Sequence, residues 1–139
     1  MDIKDRVSMV IRDVENVKDD LSRMLSVILS RRLYNSISLI NDTLFNVRSK
    51  IANIMLSING IPLAYIDKWI ILKQLNIVLS HIDLILDYVK IIASQIERRV
   101  ISEFRLKREE DYIVRHIEYT TESLNEVLKR LSNILLSLK

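Results

Sequence analysis

The stretch Leu75–Ile96 reads LNIVLSHIDLILDYVKIIASQI, and its apolar residues Leu75, Val78, Ile82, Ile85, Val89, Ile92 and Ile96 recur at alternating steps of three and four. That spacing lines all seven along one seam of an α-helix. The last segment repeats the pattern with Ile113, Ile117, Thr120, Leu124, Val127, Leu131, Ile134 and Leu138. Two long helices, each with a continuous seam, point to a bundle.

Working outward, the same spacing organises the amino-terminal half. Ile3, Val7, Val10, Val14, Val17, Leu21, Met24 and Ile28 define a helix over about residues 2–30. Leu33, Ile37, Ile40, Leu44, Val47, Ile51, Ile54 and Ile58 define a second over about 33–57. The step from Ile28 to Leu33 is five residues, a phase slip at Ser30-Arg31-Arg32. It marks a tight turn or a kink, and no Gly or Pro stands there to decide. The chain's one Gly and one Pro instead fall together in Asn59-Gly60-Ile61-Pro62. Gly accepts the left-handed cap of a helix and Pro cannot continue one, so this break is expected to be complete. A third helix should run from near Leu63 to about Val100 or Leu106. Glu109, Glu110 and Asp111 read as the acidic first turn of a fourth, favoured by the helix dipole. Short connections make successive helices antiparallel neighbours. The expected fold is therefore a single-domain, all-α, up-down-up-down four-helix bundle. If Ser30–Arg32 only kinks, it becomes a three-helix bundle with one long helix.

The third helix carries more apolar surface than its seam requires. Leu72, Leu79, Leu86 and Ala93 widen the core face, and Ile70, Ile77, Leu84 and Ile91 form a further stripe. The combined arc of about 200° exceeds the ordinary apolar face of about 100°. Either this helix is the most buried of the four, or the stripe serves self-association or a partner helix.

Composition narrows the classes. Of 139 residues, 49% are hydrophobic and 28% charged, enough for one domain with a real core. Cys is absent, which removes disulfides, thiol chemistry and Cys-based zinc sites. The charged start Met1-Asp2-Ile3-Lys4-Asp5-Arg6 is unlike a signal peptide, and no apolar run approaches the roughly 20 residues of a membrane span. A cytoplasmic protein without membrane association is expected.

Motifs of catalysis are missing. His81 and His116 are the two histidines, and neither belongs to a Glu-x-x-His pair of the kind that builds di-iron bundles. Asp83 with Asp87, and Glu118, Glu122 and Glu126, fall on polar helix sides as solvated rows. There is no nucleophile elbow and no glycine-rich phosphate loop. The chain is expected to be no enzyme, with no metal and no cofactor. Tyr65 and Trp69, one turn apart after the Gly60–Pro62 break, read as a plug for the bundle end.

Charge is the stronger signal. The formal net charge is +3, and Arg98, Arg99, Arg105, Lys107 and Arg108 crowd into eleven positions around Phe104, with Arg115 beyond them. In an up-down topology the first and third connections share one end, so Arg31, Arg32 and Tyr34 would join the cluster. Such a pole could attract phosphates or acidic protein surface. The interleaved Glu97, Glu103, Glu109, Glu110 and Asp111 could equally neutralise it locally.

The Ile/Leu/Arg/Lys-rich, Ala- and Cys-poor make-up of the whole chain resembles small basic helical-bundle proteins of hyperthermophilic archaea and, in particular, their viruses. That group includes virion components and an inhibitor that lodges in host RNA polymerase. The resemblance implies a protein of the host cytoplasm or the virion that binds a macromolecule and inhibits or assembles. It maps no individual residue. The reading that follows is a non-enzymatic protein that docks a larger partner through its basic pole, either nucleic acid or nucleic-acid machinery such as RNA polymerase. The alternative is a structural or virion protein that self-associates, as a homodimer for instance, through Ile70, Ile77, Leu84 and Ile91.

Overall fold

The computed structural model describes residues 1–138. Four α-helices account for nearly all of them: α1 (Ile3–Arg31), α2 (Ile37–Asn59), α3 (Tyr65–Glu97) and α4 (Glu103–Ser137). A 3-10 turn, Leu33–Asn35, joins α1 to α2, and there is no strand among the described residues. Each helix packs on its two neighbours around a ring, α1 on α2, α2 on α3, α3 on α4 and α4 on α1. The result is the antiparallel four-helix bundle that the seams predict.

The seams are the core. Val7, Val10, Val14, Val17, Leu21, Met24 and Ile28 of α1 are all buried, as are Ile40, Leu44, Val47, Ile51, Ile54 and Ile58 of α2. The α3 seam is buried from Leu75 to Ile92, and the α4 seam from Ile113 to Ile134, Thr120 included. Thr120 satisfies its hydroxyl locally, donating to the His116 carbonyl at 2.8 Å. The outermost seam positions Ile3, Ile37, Ile96 and Leu138 are only half-buried, because no neighbouring turn covers a helix end. Each large apolar side chain taken from water contributes roughly 1.5–3 kcal/mol. These stripes therefore hold the bundle together; intrinsic helix preference adds little.

The chain reverses at Arg31–Ser36, so a long kinked helix does not form. Neither Gly nor Pro makes this turn. Asn35 donates its side-chain amide to the Arg31 carbonyl at 3.1 Å, and buried Ser36 donates its hydroxyl to the Arg32 carbonyl at 2.8 Å. The five-residue phase slip is the sequence's trace of this reversal, and Leu33 at its centre is fully buried.

Three boundary expectations are corrected. First, α3 stops at Glu97 and α4 starts at Glu103, where the Ser102 hydroxyl accepts the Arg105 amide at 3.1 Å. Glu109 and Glu110 are therefore not a first turn; they lie in the second and third turns, and both are buried. Second, Gly60 is not left-handed: its φ is −83°. Its small size is what matters, because an added Cβ would stand 3.3 Å from the Arg6 guanidinium, which donates to the Gly60 carbonyl at 2.8 Å. Third, Tyr65 and Trp69 do not plug the end; they are 83% and 50% exposed, with the Lys73 ammonium 4.9 Å above the Trp69 ring.

Candidate interaction site at the basic pole

The up-down topology brings the α1–α2 and α3–α4 connections to one end of the bundle. Between them lies a cavity of about 650 Å³. Leu33, Ile96, Ile101 and Leu106 supply apolar lining, while Arg32, Arg99, Lys107, Glu103 and Glu110 surround it with charge. Tyr34 and Asn35 complete its wall. Sequence regions more than sixty residues apart thus form one concave surface.

Seven cations occupy these connections and the first turns of α4: Arg31, Arg32, Arg98, Arg99, Arg105, Lys107 and Arg108, all exposed. Five carboxylates accompany them, but Glu109 and Glu110 are buried beneath the surface. Glu110 lies 3.4 Å from Arg32 across the pole, Glu109 lies 3.8 Å from Arg105, and Asp111 lies 3.6 Å from Lys107. Among the described residues, Arg31, Arg98, Arg99 and Arg108 have no carboxylate within ion-pairing distance. The interleaved acids therefore neutralise three cations and leave four free. Arg115 does not belong here: it lies twelve residues into α4, roughly 18 Å along the helix from its start.

Backbone conformation marks the same end. The two non-glycine residues with positive φ among the described residues are Arg32, at 69°, and Arg99, at 57°. Arg99 takes the place that glycine usually fills after a helix. Its amide bonds the Ile96 carbonyl and that of Val100 bonds Gln95, each at 3.0 Å, which closes the last turn of α3. Arg32 combines φ 69° with ψ 157°, a region that only glycine occupies without strain. Arg32 holds this geometry beside fully buried Leu33, and Arg99 where those two hydrogen bonds close the end of α3. Exposed apolar groups sit among the charges: Tyr34 is 59% exposed, Val100 65% and Phe104 79%.

The third-helix stripe lies elsewhere, on the outer surface shared by α3 and α4. Ile77, Leu84 and Ile91 are exposed, and Ile70 is half-buried. Beside them runs an aromatic row that sequence reasoning missed. Tyr88 packs on Tyr112 with ring centroids 4.6 Å apart, Tyr112 on His116 at 4.3 Å, and His116 meets Tyr119 edge-on at 6.1 Å. His81 and His116 bring their Nδ1 atoms to 3.4 Å. Burial, the adjoining His81 and then Arg115 push the His116 imidazole below its ordinary value. The sequence signal was there: Tyr112, His116 and Tyr119 follow one helical edge at steps of four and three. Its partners on α3 become visible only once the two helices are in register.

Elsewhere, Arg48 reaches from α2 to Asp83 of α3 at 2.6 Å, which holds the guanidinium above its ordinary value. Lys50 bridges to Asp20 at 2.7 Å, and Arg130 to Asp67 at 3.5 Å. No group of three or more His, Cys, Asp or Glu side chains among the described residues is placed to share a metal ion. No helix among them is long and apolar enough to cross a membrane. Comparison with family models, curated proteins and solved structures finds no match to this chain.

Proposed function

We propose that this chain is a non-enzymatic interaction protein whose basic pole docks nucleic acid, or an anionic surface of the machinery that handles it, such as RNA polymerase. One observation carries the reading. Two connections distant in sequence converge to present four cations, Arg31, Arg98, Arg99 and Arg108, that the bundle's own acids leave unpaired. All four are exposed, and Arg99 lines the concave surface between the two connections. The exposed rings of Tyr34 and Phe104 supply faces on which unpaired bases could stack, which favours single-stranded nucleic acid over an acidic protein. No side-chain set suited to reading base edges lies at the pole, so the contacts would be to phosphates and tolerant of sequence. The compositional resemblance to archaeal viral bundles accords with a binder of this kind.

The test is fluorescence anisotropy with labelled single-stranded and duplex oligonucleotides across a salt series. Binding should be sequence-independent, stronger for single strands, and weaken steeply with salt. Arg31→Gln/Arg98→Gln/Arg99→Gln/Arg108→Gln should weaken it for every sequence alike and flatten its salt dependence, while leaving the helical circular dichroism unchanged. Equal binding by that variant would exclude the pole as the site. No binding by wild type at low salt would turn the search to an acidic protein surface.

A further inference from the structure

We infer that the outer face of α3 and α4 binds a second copy of this chain as an antiparallel two-fold dimer, with α3 against α3 and α4 against α4. This surface meets the basic pole only at Arg108, and the inference does not rest on the function proposed for that pole.

The apolar content comes first. Ile70, Ile77, Leu84 and Ile91 recur every seven residues and so form one line along α3, with Ile77, Leu84 and Ile91 at 43%, 45% and 56% exposure. Tyr112 and Tyr119 extend the face onto α4, at 36% and 47% exposure. Each helix is about 50 Å long, and neighbouring axes lie about 10 Å apart. A two-helix face of that size is ample for the roughly 800 Å² per partner of a stable interface.

Charge selects the occupant. The midpoint of the apolar line falls between Ile77 and Leu84, level with His81. The His81–His116 contact sets the matching level on α4, next to Ile117. A two-fold axis through that level and perpendicular to the helices sets Ile77 of one copy against Leu84 of the other, and Ile70 against Ile91. On the solvent edge of α3, Lys73 and Asp87 lie on opposite sides of the axis at nearly equal distances. Each then meets its opposite in the second copy. On α4, Arg108 is nine residues before Ile117 and Glu126 nine residues after it, so these two pair in the same way. Tyr112 comes opposite Glu122. A two-fold axis parallel to the helices would instead lay α3 against α4 of the second copy, so that Lys73 and Asp87 would not meet. A face whose apolar line is symmetric, and whose charges reverse about the same point on both helices, is complementary to itself under that two-fold. The Gln74 side-chain oxygen, buried beside Ile77 with no donor among the described residues, lies within this face.

Sedimentation equilibrium of the full chain decides the matter. Wild type should behave as a species of twice the 16.3 kDa chain mass. Ile77→Lys/Leu84→Lys should weaken the dimer roughly a hundredfold or more while keeping the helical dichroism, since neither side chain is core. Lys73→Glu and Asp87→Lys should each weaken it several-fold. Combined in one chain they should restore it, and mixed as single variants they should associate with each other in preference to themselves. Wild type that stays monomeric at every concentration overturns the inference and leaves the face to another partner. A dimer indifferent to Ile77→Lys/Leu84→Lys places the contact elsewhere and overturns it too. A dimer that the Lys73/Asp87 exchange fails to restore rejects the antiparallel arrangement.

Discussion

Arg32 on the first connection lies 3.4 Å from Glu110 of α4, and Glu110 is 3% exposed. This ion pair ties the amino-terminal half of the chain to the carboxy-terminal half at the basic pole. It joins a residue in a glycine-like backbone conformation to a carboxylate folded beneath the surface. Removing Arg32 would leave that carboxylate buried without its counter-ion, a far worse state than losing both partners.

Arg32→Ala should therefore destabilise the protein by about 1–2 kcal/mol. The lower half of that range is expected because more than half of the Arg32 side chain remains in water. Glu110→Gln in the Arg32→Ala background should recover part of the loss, which a double-mutant cycle by urea denaturation would measure. Additive effects would mean that the pair contributes no coupling.

Glycine offers a cleaner measure of the turn strain. Arg99 holds φ 57° and, among the described residues, has no ion pair to lose. Arg99→Gly should stabilise the bundle by about 1 kcal/mol, read as a higher denaturation midpoint at constant slope. By the same reasoning Arg32→Gly should be more stable than Arg32→Ala. A destabilised Arg99→Gly would show that the guanidinium makes a contribution larger than the strain it sits on.

For the basic pole, salt dependence gives the magnitude. Each phosphate neutralised on a duplex contributes about 0.9 to the slope of log affinity against log salt. If all four unpaired arginines engage phosphates, their removal should flatten that slope by up to roughly 3.6. Arg130→Gln, whose side chain pairs with Asp67 toward the other end of the bundle, should leave the slope unchanged.

His116 gives the fold a pH dependence with a definite sign. Its native value lies below the ordinary 6.5, so the unfolded chain binds a proton that the native state resists. Its contribution is fully present above pH 6.5 and is lost as the pH falls from there through the depressed native value. Thermal melts from pH 7.5 downward should show wild type losing stability in that window. His116→Phe, which keeps the ring contacts with Tyr112 and Tyr119 but cannot charge, should show a shallower decline. Parallel curves would remove His116 from the account.

Core and stripe should separate cleanly. Ile82 is fully buried and Leu84, two residues on, is 45% exposed. Ile82→Ala should cost about 2–5 kcal/mol, whereas Leu84→Ala should cost the isolated chain less than about 1 kcal/mol. Equal losses would mean that the stripe is part of the core after all.

The seams and the Gly60–Pro62 break were legible in the sequence because they are local. A three-four spacing acts within two turns of its own helix, and large apolar residues on that line have nowhere else to be buried. Val7 to Ile28 and Ile113 to Ile134 could be named as core residues without knowing what they pack against. The identity of the turn at Arg31–Ser36 was half legible: the phase slip was visible, but a turn held by Ser36, Asn35 and a strained arginine carries no Gly or Pro to announce it. Everything at the pole beyond the crowding of arginines belongs to tertiary structure. Glu109 and Glu110 sit in the same acidic run as exposed Asp111, and local composition gives no reason for their burial. The reason is the arrival of the first connection over α4, which covers Glu110 and supplies Arg32 to it. The pairing of His81 with His116 likewise depends on the axial register of α3 against α4. That register is a sum of many weak contacts along two helices, and no single residue in the chain encodes it.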